Sequence, residues 1–135
     1  MIEWTPDLSV GIAEIDRQHQ ELFGAINKLL EACKQRTAKE NLSDTLKFLE
    51  HYVVDHFHTE ETTMIQYDYP DQAIHREMHQ QFVKSLAELR GKLENEGPGI
   101  HIVVMTNQVV VGWLTNHIRK ADQELGRFLK AAMGK

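Results

Sequence analysis

The chain has 135 residues, a hydrophobic share of 41%, a formal charge of -5 and a single cysteine, Cys33. One domain of that size can bury a core without disulfide staples, and a lone cysteine excludes a disulfide scaffold and any Cys-rich zinc or iron–sulfur site. The acidic balance argues against nucleic-acid binding. No apolar run is long enough to span a bilayer, and MIEWTPD lacks the basic and apolar stretches of a signal peptide. These features predict one domain over residues 1–135, without membrane insertion and cytoplasmic. The unusual feature is eight histidines.

An N-terminal arm carries Trp4 and Pro6. The first helix is expected over about 12–36, with an inner stripe of Ile12, Ile15, His19, Leu22, Phe23, Ile26, Leu30 and Cys33 in steps of three and four. Asn41 is expected to cap a second helix over about 41–66, and Asp44 suits the positive end of its dipole. Its stripe is Leu42, Leu46, Leu49, Val53, His56, Glu60 and Met64. Tyr69-Pro70 interrupts, and Pro70 suits the first position of a third helix over about 70–95. That stripe reads His75, Met78, His79, Phe82, Leu86, Leu89 and Leu93.

Glu96-Gly97-Pro98-Gly99 makes a turn. A fourth helix is expected over about 100–119, facing inward with Ile102, Met105, Val109, Trp113 and His117, although Val103, Val104 and Val109 to Val111 are β-branched. A short helix over about 122–133 closes the chain. Four long helices with short connections predict an all-α fold, an antiparallel up-down-up-down bundle with an N-terminal arm and a short C-terminal helix.

In each of the four long helices the apolar stripe runs into a histidine or carboxylate. His56 and Glu60 are four apart, as are His75 and His79, and four residues turn a helix by ~400°, so each pair projects from one face. In an antiparallel bundle the start of helix one (His19), the end of helix two (His56, Glu60), the start of helix three (His75, His79) and the end of helix four (His117) share one end. Six polar groups at one level of a core would be costly to bury without partners, and metal ions remove that cost. Asp122 follows His117 by five residues, ~140° around an ideal helix, so it joins the set only if the helix ends or distorts near Arg119 to Ala121. His51 and His58 fall ~140° and ~200° from His56, on outer faces, and His101 lies at the far end. These three are expected at the surface.

Five imidazoles and two carboxylates without a thiolate suit iron, manganese, copper, nickel or zinc. Seven ligands exceed one tetrahedral zinc site, and HREMH is not the zinc-peptidase H-E-x-x-H pattern. Two six-coordinate ions, five histidines, two bridging carboxylates and one bridging oxygen leave one coordination position open.

The stretches IDRQHQELF (Ile15 to Phe23), HFHTEE (His56 to Glu61), HREMH (His75 to His79) and WLTNHIRKAD (Trp113 to Asp122), in this order and spacing, resemble the hemerythrins, in particular their single-domain bacterial form. The resemblance covers about Trp4 to Asp122. It implies a non-haem di-iron centre of two Fe2+/Fe3+ ions with an oxo or hydroxo bridge. One iron would take His75, His79 and His117. The other would take His19 and His56 and keep the open position, with Glu60 and Asp122 bridging. Phe23, Phe57, Trp113, Leu114 and Ile118 are expected to wall the O2 pocket.

The implied function is reversible O2 binding for storage, transport or delivery to an O2-consuming oxidase or oxygenase, with a reductase as a further partner. Few anionic ligands, compared with four-Glu two-His sites, disfavour the high-valent iron of oxygenases, so a non-enzymatic role is expected. The alternatives are a redox enzyme turning over peroxide or NO, and a sensor acting through a separate partner. A monomer is the default expectation.

Overall fold

A computed structural model describes residues 3–35, 39–97 and 99–134. The side chains of Cys33 and Leu42, expected on inner stripes, and of Ile100 and Val103 in the expected fourth helix lie outside the described residues, as does Pro98. After a short 3-10 turn at Pro6–Leu8 come α1 (Ala13–Lys34), α2 (Lys39–Gln66) and α3 (Gln72–Glu96). A last helical rod, 100–132, changes its winding as it goes. It comprises α4 (Ile100–Met105), a π segment (Thr106–Gly112), α5 (Trp113–His117), a second π segment (Ile118–Asp122) and α6 (Gln123–Ala132).

The expected all-α, up-down-up-down bundle is what forms. Gln18 meets Thr59 and Glu21 meets Tyr52 across α1 and α2, while Glu50 meets Arg90 and Glu61 meets His79 across α2 and α3. In each case the number rises on one helix as it falls on the other, so neighbouring helices run antiparallel. The last rod packs on α1 and α3.

Three expected boundaries move. α2 starts at Lys39, so Asn41 lies within it rather than at its cap. α3 starts at Gln72 with Asp71 at its N-cap, and Pro70 stands in the preceding turn. That turn needs Asp68 at φ 53, with the Tyr69 amide donating to the Met64 carbonyl at 2.9 Å, and the chain therefore reaches helical geometry two residues beyond Pro70. The tail helix is not a separate element. The rod distorts at Ile118–Asp122 without ending, and Asp122 keeps helical backbone angles, φ -73 and ψ -35.

Among the described residues the expected stripes of α1 and α2 are buried, with Leu29 added on α1. On α3, Met78 is 36% exposed, because it lies ~60° from the His75–Leu86–Leu93 line and only the middle of the stripe is covered. On the last rod the expected Ile102 and His117 are buried, but Met105, Val109 and Trp113 are half-buried, and the buried line from Ile102 runs on through Thr106, Val110, Leu114, Ile118 and Asp122. These fall in strict steps of four. An unbroken α-helix would turn Asp122 ~200° away from Ile102. The two π segments hold more residues per turn, cancel that drift, and keep one face inward along the whole rod.

The N-terminal arm seals the end of the bundle where this rod finishes. Leu8, Val10 and Ile12 are buried, the Val10 amide and Ser9 hydroxyl donate to Asp16 at 2.8 and 2.5 Å, and Gln123 donates to the Asp7 carbonyl at 2.7 Å. Val10 lies so close to Gly126 that a Cβ there would sit 1.9 Å from the Val10 carbonyl oxygen.

Candidate metal centre

All seven residues expected at the centre, His19, His56, Glu60, His75, His79, His117 and Asp122, are buried, none more than 6% exposed. α1 supplies His19, α2 supplies His56 and Glu60, and α3 supplies His75 and His79. The last rod supplies His117 at the end of α5 and Asp122 at the end of the second π segment. That segment is the distortion Asp122 required. Its wider winding brings Asp122 back beside His117, and the Oδ1–Nε2 separation is 3.1 Å. His51, His58 and His101 are exposed, as their faces predicted.

The two carboxylates stand at the middle. Glu60 lies 3.4 Å from His19, 2.9 Å from His56, and 3.1 Å from both His75 and His79. Asp122 lies 3.2 Å from His19 and 2.9 Å from His75. The potential donor atoms fall into two groups, each within 4.8 Å: Glu60, His75, His79, His117 and Asp122, and His19, His56, Glu60 and Asp122. Glu60 and Asp122 belong to both.

These contacts do not amount to a satisfied hydrogen-bond network. Nε2 of His19, His56, His79 and His117, Nδ1 of His19, Glu60 Oε2 and both Asp122 oxygens are buried without a hydrogen-bond partner among the described residues. Of the close N···O pairs, His75 Nε2 with Glu60 Oε1 at 3.1 Å is a hydrogen bond, and the atoms just named gain none from the rest. Buried orphaned groups on this scale are rare in folded proteins, and lone pairs converging from five imidazoles and two carboxylates fit divalent or trivalent cations.

Electrostatics without a metal point the same way. Burial pushes the His19 imidazole down, but the close carboxylates of Asp122 and Glu60 outweigh it and raise its pKa to about 9. His75 is pushed up to about 10 by the same two carboxylates against the same burial. Glu60 and Asp122 are held well below the ordinary carboxylate range. Burial opposes this, and the surrounding histidines prevail, His56 foremost for Glu60 and His117 for Asp122. The two carboxylates thus favour positive charge on the histidines that face them.

Phe57, Leu114 and Ile118 are buried at this level, with Phe57 stacked on His79 and Trp113 on His117. Phe23, also buried, lies one turn below His19. Two further participants were not expected. Gln18 Oε1 lies 2.7 Å from His56 Nδ1, and Glu61 Oε2 lies 2.8 Å from His79 Nδ1. Their only trace in the sequence is adjacency, Gln18 preceding His19 and Glu61 following Glu60.

A family model, the Hemerythrin HHE cation binding domain, matches residues 10–129. A bacteriohemerythrin of Stenotrophomonas maltophilia (strain R551-3) is 32% identical over 97% of this chain and 83% of its own length. One of Methylococcus capsulatus (strain Bath) is 32% identical over 97% of this chain and 98% of its own. The crystal structure of a wild-type hemerythrin superposes with a TM-score of 0.85 at 31% identity, covering 96% of this chain and 98% of that one. Among the described residues, no helix is long and apolar enough to cross a membrane.

Proposed function

This chain belongs to the hemerythrin family, and from that premise we propose that it binds O2 reversibly at a di-iron centre, for storage or for delivery to an O2-consuming enzyme in the cytoplasm. The carrying observation is the pair of donor groups sharing Glu60 and Asp122, which suits two cations side by side. His75, His79 and His117 would hold one iron, and His19 and His56 the other, with Glu60 and Asp122 common to both. When bound, the irons with their oxo or hydroxo bridge supply the electrons and the open position that O2 needs.

The chain's own residues do the rest. Two buried carboxylates offset the charge of the cations without surrounding them with anions, which favours reversible binding over deeper oxidation. The rings of Phe57 and Trp113, stacked on His79 and His117, hold those imidazoles in plane. Leu114 and Ile118, fully buried, keep water from the pocket, and a dry surround slows loss of reduced oxygen species.

The test is a visible spectrum of iron-loaded, reduced protein under argon, then air, then argon again. A charge-transfer band that appears in air and disappears on deoxygenation is expected. Irreversible bleaching, or steady consumption of peroxide or NO with a reductant, would replace carriage by a redox enzyme.

A further inference from the structure

Glu61 and Gln18 do the same thing to two histidines with different chemistry. A carboxylate can only accept, so His79 Nδ1 donates to Glu61 Oε2 at 2.8 Å. The Gln18 amide is oriented by Thr59. The Thr59 hydroxyl donates to the Asp55 carbonyl at 3.2 Å, leaving its oxygen to accept from Gln18 Nε2 at 3.4 Å. That turns Gln18 Oε1 toward His56, whose Nδ1 donates to it at 2.7 Å. Both rings are thereby set in the tautomer that points an Nε2 lone pair at the centre. One outer partner carries a full negative charge and the other only an amide dipole.

Resting on the di-iron reading, we propose that Glu61 and Gln18 are positioning residues that make the two halves of the centre electronically unequal, with His79 the stronger donor. An anionic acceptor on Nδ1–H pushes electron density toward Nε2. The half containing His79 therefore gives up its electron more readily than the half containing His56. Arg76, 3.9 Å from Glu61 Oε1, and the 23% exposure of the Glu61 side chain soften this charge without cancelling it. Neither residue belongs to the two donor groups, so each acts on the centre from behind a histidine ring.

The experiment compares the iron-loaded protein with Glu61→Gln and Gln18→Glu. Iron per chain is counted first. Each protein is then poised anaerobically with dithionite and ferricyanide through mediators, one electron per iron, and the two irons are followed separately by Mössbauer spectroscopy. Glu61→Gln keeps an acceptor for Nδ1–H but removes the charge, so the midpoint of the His79 half should rise while that of the His56 half stays. Gln18→Glu should lower the His56 half and bring the two closer. Zinc affinity should fall on the order of 10–100-fold in Glu61→Ala and be rescued in Glu61→Gln, which separates ring positioning from charge.

Two irons per chain with neither midpoint moved in Glu61→Gln, or with both moved equally, overturns the proposal. If Glu61→Gln does not fold, Gln18→Glu decides alone: a fall confined to the His56 half supports the inequality, and no change refutes it. Fewer than two irons in the unsubstituted protein refutes the di-iron reading itself and the proposal with it, an outcome the iron count distinguishes from the others.

Discussion

The ring of Phe57 lies flat on that of His79, with centroids 3.7 Å apart and planes 2° apart. Phe82 meets Phe57 edge-on at 6.0 Å and stacks on Trp113 at 4.3 Å, and Trp113 stacks on His117 at 4.4 Å. An aromatic chain thus runs from one histidine of the centre to another and holds both ring planes from the apolar side, while Glu61 holds the outer edge of His79.

Phe57→Ala should therefore destabilise the metal-free protein by about 3–5 kcal/mol, the usual cost of an emptied aromatic core site. The neighbouring exposed His58→Ala should change stability by less than about 0.5 kcal/mol. Urea unfolding followed by circular dichroism checks both, and similar midpoints for the two variants would contradict the packing described.

Gly126→Ala tests the arm. A methyl group would lie 1.9 Å from the Val10 carbonyl oxygen and 2.9 Å from its Cβ, and backbone cannot yield as a flexible side chain does. The arm must lift, at a cost in the overpacking range of about 1–3 kcal/mol. Faster proteolytic clipping near Val10 should accompany the lower melting temperature, and an unaltered clipping rate would show that the arm stays seated.

Metal stoichiometry separates the inner from the outer histidines. His56→Ala and His117→Ala each remove a buried inward nitrogen, one from each donor group, and should lower iron below two per chain. His51→Ala and His58→Ala, on exposed positions, should leave it unchanged. Equal losses from both pairs would refute the assignment.

Metal uptake should also depend on pH. His19 and His75 keep their protons up to about 9 and about 10 in the metal-free protein, one histidine in each donor group, so each cation must displace a proton at neutral pH. Apparent affinity should rise about tenfold per pH unit for each proton displaced, levelling off near the folded values. Those raised values also stabilise the metal-free fold. That contribution is complete below the ordinary histidine pKa of 6.5 and disappears as pH rises through 9 and 10. The depressed Glu60 and Asp122 act in the opposite sense, stabilising above the ordinary carboxylate range and losing that effect as pH falls below it. Zinc titrations at pH 6.5 and 8.5, with a dye reporting released protons, check the coupling. Equal affinities and no proton release would refute it.

Much of the centre is legible from spacing. His56 with Glu60 and His75 with His79 lie on inner stripes of long, regular helices, where a period of 3.6 residues converts positions into faces with little error. The last rod defeats the same arithmetic. Its expected inward residues Met105, Val109 and Trp113 lie on the flank, because the rod widens twice and departs from the ideal helical period. Asp122 marks that departure in the sequence, since its spacing from His117 lets it join the cluster only through a distortion.

Local order along the chain thus suffices to choose the all-α architecture and to mark which polar side chains turn inward, because helical periodicity is a short-range property. Long-range packing decides the winding of the last rod, the sharing of Glu60 and Asp122 between two donor groups, and the unlike partners behind His79 and His56. Each of these depends on distances between helices far apart in the chain, and hydrogen-bond angles across such gaps leave no periodic mark.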